Sequence, residues 1–154
     1  MKHEHLARHL SVAFLLALLL YVIAYQSIEH LRTRKGGWQV TFCGDPNGAP
    51  SVGVSQPILG IQGVRFGFPG ARIAQVNFTN TIVFDQPITN VPFGRVIYFD
   101  TTFLPGAVVF GLFGHEVQLL PRVLTVDRQE IPWREGLFLQ LSNKTDVAPA
   151  GVSR

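Results

Sequence analysis

The segment QVNFTNTIVF, Gln75–Phe84, alternates in polarity almost residue by residue. Val76, Phe78, Ile82 and Phe84 fall on one side of an extended chain, and Gln75, Asn77, Thr79 and Thr81 fall on the other. That is the period-two signature of a strand with one face in a core and one in water. Asn80 breaks the apolar side, which predicts a β-bulge at that point.

Outward from this strand the chain keeps the same character. Trp38–Cys43, Ile58–Phe68, Gly94–Phe99, Ala107–Phe113, Glu116–Leu120, Arg122–Val126 and Leu137–Leu141 are short, mostly apolar runs. Turn formers separate them. Asp45-Pro46-Asn47-Gly48 joins a proline that presets φ to an Asn-Gly pair that tolerates positive φ, and Pro69-Gly70 is a second such break. Phe113-Gly114-His115 and Asp127-Arg128-Gln129 read as hairpin breaks, with His115 as a polar turn residue. Gly94–Phe99 and Ala107–Phe113 are apolar on both faces, which predicts strands covered on both sides or lying under a partner. Seven or eight short strands at this spacing specify an all-β fold, an antiparallel β-sandwich or small barrel over residues 37–141. Residues 142–154 read as a loose polar tail. The pattern V-x-F-G-x-x-G occurs at Val64–Gly70 and again at Val108–Gly114. Two copies are too few to establish a repeat, and a strand ending in a glycine turn accounts for both.

The first part of the chain is of another kind. All 15 glycines and all 10 prolines lie from Gly36 onward. Leu10–Ile28 carries no charge, and as a helix it is about 28 Å long, close to the hydrocarbon thickness of a bilayer. Leu10, Phe14, Leu18, Tyr21, Tyr25 and Ile28 are the expected membrane-spanning positions, with the two tyrosines near an interface. Residues 1–9 form a polar flank and 29–36 a basic juxtamembrane linker. A cleaved signal peptide is the rival reading, with Val22-Ile23-Ala24 at the cleavage positions. The bulky run before that site and the uncharged residues after it favour a signal anchor. The positive-inside count is nearly tied between the flanks. The lysine-poor, Gly/Pro/Thr/Asn-rich domain, with Lys144 its one lysine after Lys35, suggests that it lies on the extracytoplasmic side.

Charge follows the same division. Lys2, Arg8, Arg32, Arg34 and Lys35 against Glu4 and Glu29 carry the whole formal charge of +3, and the remainder is neutral. A basic nucleic-acid face on the domain is therefore disfavoured. One cysteine excludes an internal disulfide framework and a multi-cysteine metal site within one chain. His5 and His9 share a helix face at a metal-ligand spacing, but nothing supplies a third ligand, and they read with His3 as a solvated flank. The domain has one histidine, His115, and one thiol, Cys43, too few for a blue-copper site. A Cys43–His115 nucleophile pair would need proximity and an orienting group. The carboxylates Asp85, Asp100, Glu116, Asp127 and Glu130 are spread over different expected turns, nothing in the sequence brings two together, and turn and surface roles are expected. Asn77-Phe78-Thr79 and Asn143-Lys144-Thr145 match the glycosylation acceptor pattern. No catalytic site, cofactor site or metal site is expected.

The domain holds 11 of the 12 phenylalanines. Its 16 charged residues in 119 are about 13%, against about 25% for an average soluble domain. Such a surface is expected to be covered. Phe93, Phe103, Phe110 and Phe113 are the candidate interaction residues, with core filling as the competing role. The expected partners are the lipid bilayer and another protein or a second copy of this chain. The resulting expectation is a non-catalytic accessory or structural subunit of a membrane assembly, with an apolar- or carbohydrate-ligand module as the alternative. N-terminal sequencing of the membrane-extracted protein should read from the start of the chain; a start at Tyr25 would show cleavage instead.

Overall fold

The computed structural model describes residues 2–142, and side chains from Leu6 onward. The proposed tail and Asn143-Lys144-Thr145 thus lie outside the described residues, apart from Ser142, and so do the His3 and His5 side chains. The chain divides into two compact units, Met1–Arg34 and Lys35–Arg154.

The first unit is a single helix, α1 (Lys2–Thr33). Leu6–Thr33 is long and apolar enough to cross a membrane, with a mean hydropathy of 2.1 in its most apolar window. Leu10, Phe14, Leu18, Tyr21, Tyr25 and Ile28 are all exposed along it. Its serine hydroxyls are satisfied internally: Ser11 Oγ donates to the Ala7 carbonyl at 2.9 Å and Ser27 Oγ to Ile23 at 2.8 Å. In hydrocarbon, where no water can take that role, such back-bonding is what lets a serine be carried. Tyr21 and Tyr25, one turn apart, stack with centroids 6.4 Å apart.

The second unit is a sandwich of ten strands in two sheets. One sheet contains β1 (Trp38–Gly44), β2 (Pro50–Gln56), β3 (Ile61–Gly67), β4 (Phe78–Phe84) and β10 (Phe138–Gln140), in the order β10-β3-β2-β1-β4. The other is a meander of β5 (Arg95–Phe99), β6 (Val108–Leu112), β7 (His115–Leu119), β8 (Leu124–Val126) and β9 (Gln129–Ile131). All pairings are antiparallel except β10 with β3. Two strands beyond those expected appear, β2 and β9. The run Ile58–Phe68 is split, since Pro57–Leu59 forms a 3-10 turn closed by Gly60 at φ 70° before β3 begins.

Alternation sets which residues meet between the sheets. Trp38, Val40 and Phe42 from β1, Val52 and Val54 from β2, and Val64 and Phe66 from β3 point inward. Val108, Phe110 and Leu112 from β6 and Val117 and Leu119 from β7 meet them. The ring of Phe110 lies edge-on to Phe42 at 6.2 Å and to Phe84 at 5.3 Å, joining the sheets. Both copies of V-x-F-G-x-x-G thus send their Val and Phe into one core. The second ends in a tight β6–β7 hairpin with positive φ at Phe113 and Gly114, the first in an irregular loop, so the two are not equivalent units.

Three expectations are corrected. There is no bulge at Asn80: β4 pairs with β1 in continuous register, Asn80 opposite Phe42. Asn80 is accommodated because β4 is an edge strand and its side chain reaches solvent. Val76 precedes the strand and is exposed. Gly94–Phe99 is not covered on both faces within the domain; β5 is an edge strand with a bulge between Val96 and Tyr98, and Ile97 and Tyr98 are exposed.

Two indoles tie loops to this core. Trp38 Nε1 donates to the Gly106 carbonyl at 2.7 Å, and Trp133 Nε1 to Leu120 at 2.9 Å; the ring systems lie 5.5 Å apart. Gly106 is required for that approach, since a Cβ there would fall 1.6 Å from the Asp100 carbonyl oxygen. Truncating Phe110 to Ala should cost about 3–5 kcal/mol, and Trp38→Phe about 1–3 kcal/mol through the orphaned Gly106 carbonyl. Phe103→Ala, at an exposed site, should stay within about 0.5 kcal/mol. Denaturant unfolding followed by tryptophan emission measures all three.

Candidate functional site

The four candidate phenylalanines divide by position. Phe110 is 1% exposed and Phe93 8%. Phe93 packs edge-on against Phe42 at 5.2 Å and lies tilted on Phe113 at 5.5 Å, and Phe113 in turn lies on Phe68 at 5.0 Å. These three rings find their cover within the domain. Phe103 alone of the four is exposed, at 58%.

His115 is not a turn residue. It opens β7, is 6% exposed and faces inward. Its Nδ1 lies 2.7 Å from Asp127 Oδ2 and its Nε2 2.7 Å from the Ser142 carbonyl oxygen. Asp127 Oδ1 accepts the Glu116 N–H at 3.0 Å, and the Asp127 N–H returns to the Glu116 carbonyl at 2.9 Å. Asp127 and Arg128 both have positive φ, as a two-residue β8–β9 hairpin turn demands. His115 thus joins this hairpin to the segment that follows β10 of the other sheet. Both ring nitrogens are occupied, which suits a cross-brace better than a nucleophile's base. Cys43 stands elsewhere, on the outward side of β1, with Thr79 Oγ1 3.8 Å from its sulfur. The structure does not bring Cys43 and His115 into one site.

The carboxylates are also dispersed. Asp100 Oδ1 accepts the Thr102 N–H at 2.8 Å; this bond and the Thr102 hydroxyl hold its carboxyl below the usual aspartate range. Glu116 accepts from Gln118 Nε2 at 2.6 Å. Asp85 and Glu130 are exposed at a strand end and on an edge strand. Among the described residues no three His, Cys, Asp or Glu side chains group as metal ligands.

What sequence reasoning missed is the outer face of the first sheet. The outward residues of β2 are Ser51, Gly53 and Ser55, paired with Cys43, Thr41 and Gln39 of β1 and, across β3, with Gly67 and Arg65. A strand of small residues between strands with longer ones makes a furrow. It measures about 370 Å³ and is lined by Gln39, Thr41, Ser51, Gly53, Ser55 and Arg65, among others. A second hollow of about 310 Å³ continues from it past Ser51 and Arg65 to Phe138 and Gln140. Phe138 is 57% exposed, and its ring covers Gly67, where a Cβ would stand 3.2 Å from it. The signal was present as alternating Val/small residues in Pro50–Gln56, but small residues carry no strand propensity of their own.

A second surface feature is the free edge of the other sheet. Ile97 and Tyr98 of β5 are 48% and 56% exposed. With Pro87, Ile88 and Thr89 of the preceding loop they line a hollow of about 140 Å³.

Comparison of the chain with protein-family models, with curated proteins and with solved structures finds no match. If His115 is a brace, Asp127→Ala should lower stability by about 1–3 kcal/mol by stripping acceptors from the imidazole and the Glu116 N–H. Asp127→Asn keeps an acceptor for Glu116 and should lose less; equal losses would contradict this bonding. For Asp100, whose ionised form is favoured in the fold, the contribution to stability is held above the ordinary aspartate range and lost as pH falls through the lowered value. A carboxyl-detected NMR titration should place Asp100 below the ordinary aspartate range.

Proposed function

We propose that this chain is a single-pass membrane protein whose β-sandwich is an accessory or structural subunit of a membrane-associated assembly, with the domain on the extracytoplasmic side. The observation that carries the reading is the β5 edge. An exposed strand edge presents unpaired N–H and C=O groups, and proteins ordinarily protect such edges with charge, brevity or a cover. β9 and β10 are three residues each, and β4, the remaining edge, is seven residues long but turns Thr79, Asn80 and Thr81 to solvent. β5 is five residues, carries two large exposed apolar side chains, and has Arg95 as its one charge. Its bulge moderates the edge without making it polar. A strand or apolar side chains from another subunit would cover it, by main-chain pairing and burial of Ile97 and Tyr98. The apolar length of α1 supports the anchor. The charge-poor domain supports a covered surface.

The furrow favours one alternative, a carbohydrate-binding module. Hydroxyls and amides from Thr41, Ser51, Ser55 and Gln39, a guanidinium from Arg65 and the exposed Phe138 ring are groups that sugars use. An apolar ligand between the sheets is disfavoured, because side chains fill that space.

A photo-crosslinking residue at Ile97 or Tyr98, irradiated in native membranes, should give one discrete heavier adduct. A ladder no different from that obtained at exposed Asn47 would overturn the subunit reading. For the alternative, Phe138→Ala and Arg65→Ala should each abolish glycan retention in native mass spectrometry; a wild-type domain that retains no glycan disposes of it.

A further inference from the structure

The β5 edge and the residue after it read Arg95-Val96-Ile97-Tyr98-Phe99-Asp100. Val96 and Phe99 pack against the core. Arg95 and Ile97 lie over Gly111 on the outer face, since a Cβ on that glycine would stand 3.2 Å from Arg95 Nε and 3.3 Å from Ile97 Cδ1. Tyr98 is opposite Val109, the outward residue between the buried Val108 and Phe110. Asp100 follows the inward Phe99, so alternation turns it outward.

In a regular strand, residues an odd number apart face opposite ways. The bulge between Val96 and Tyr98 inserts one residue and removes that mismatch. Val96 thereby shares a face with Phe99, and Arg95 shares one with Asp100. Read from either end, the stretch gives a charge, a core residue, two exposed apolar residues, a core residue and the opposite charge. Arg95 and Asp100 stand about 15 Å apart along the strand, too far to pair with each other. Arg95 has no ion-pair partner among the described residues. The Asp100 N–H bonds back to the Ala107 carbonyl at 2.9 Å, so the N–H and C=O of the neighbouring Phe99 point away from β6. Among the described residues no backbone bond joins this edge to the Pro87–Thr89 loop across the hollow between them.

We infer that the partner at β5 is a second copy of this chain, joined edge to edge by an antiparallel β5–β5 pair about a two-fold axis between Ile97 and Tyr98. In that register Arg95 stands opposite Asp100 of the second copy, Val96 opposite its Phe99 and Ile97 opposite its Tyr98, each pair on one face. The axis makes every contact occur twice, so two opposite-charge pairs close the ends of the ribbon. The two five-stranded meanders become one continuous sheet. This names the partner within the subunit reading and rests on it. A ribbon of two short strands is a small contact for a dimer free in solution; anchoring both copies in one membrane supplies the effective concentration.

The test uses two differently tagged full-length chains, Arg95→Glu and Asp100→Lys, and native mass spectrometry of the detergent-solubilised protein. Wild type should carry two copies. Each variant alone sets like charges opposite each other at both ends of the ribbon and should weaken self-association about tenfold or more. Mixed, the two restore opposite charges at both ends, and particles with one chain of each kind should return at wild-type strength. Asp100→Asn keeps an acceptor for the Thr102 N–H and covers the case in which Asp100→Lys does not fold. Its mixture with Arg95→Glu should give more mixed pairs than pairs of either kind. Two-copy particles that neither charge reversal weakens, or variants whose mixture stays apart, overturn the β5 pairing. A fixed companion of another sequence, cross-linked at Tyr98, overturns self-pairing and leaves the subunit reading standing. A lone wild-type chain with no companion defeats both.

Discussion

The edge-on contact of Phe110 with Phe42 and Phe84 is the constraint from which the rest of the domain follows. One ring from the meander sits between two rings of the mixed sheet, and Phe93, Phe113, Phe68 and Phe99 extend the set. Rings in this arrangement bury large apolar areas and add a directional electrostatic preference. They also dictate register. A one-residue slip of β1 would expose Phe42 and carry Thr41 or Cys43 into its place. With so few charges in the domain, the packing of these rings is what makes the sandwich a single structure.

Much of this architecture can be read in the chain, and its failures share a physical origin. β1, β4 and β6 announce themselves because bulky or β-branched residues alternate or cluster between turn formers. β2 does not, because its outward positions are Ser51, Gly53 and Ser55; smallness makes the furrow and hides the strand. β9 is too short to show a period. Whether a strand is central or at an edge is decided by partners distant in sequence, so β5 reads as covered and lies at a rim, and Asn80 reads as a bulge and is an edge residue in regular register. Phe93, Phe110 and Phe113 raise the same problem for function, since composition shows an excess of aromatics without showing which are enclosed. His115 reads as a turn residue beside its neighbour Gly114. Its partners, Asp127 and Ser142, are 12 and 27 residues away.

The apolar helix and the sandwich describe one design on different scales. α1 has a side-chain surface suited to hydrocarbon and serine hydroxyls that bond to its own backbone. The sandwich keeps its rings inside, yet leaves Ile97, Tyr98 and Phe103 outside on one sheet and its adjoining loop, and a polar furrow on the other. On the proposed function, the apolar β5 edge is where a partner held in the same membrane would complete the domain. Confinement to a shared membrane raises the effective concentration of two such surfaces without any added contact.

The direct measurement is the mass of the protein-bearing particle after gentle detergent extraction from its native membrane, taken by light scattering with the detergent contribution subtracted. The account predicts a defined particle well above the 17.1 kDa of one chain, with the same companion or a fixed number of copies in each preparation. A monodisperse particle holding a single chain and nothing else would contradict it.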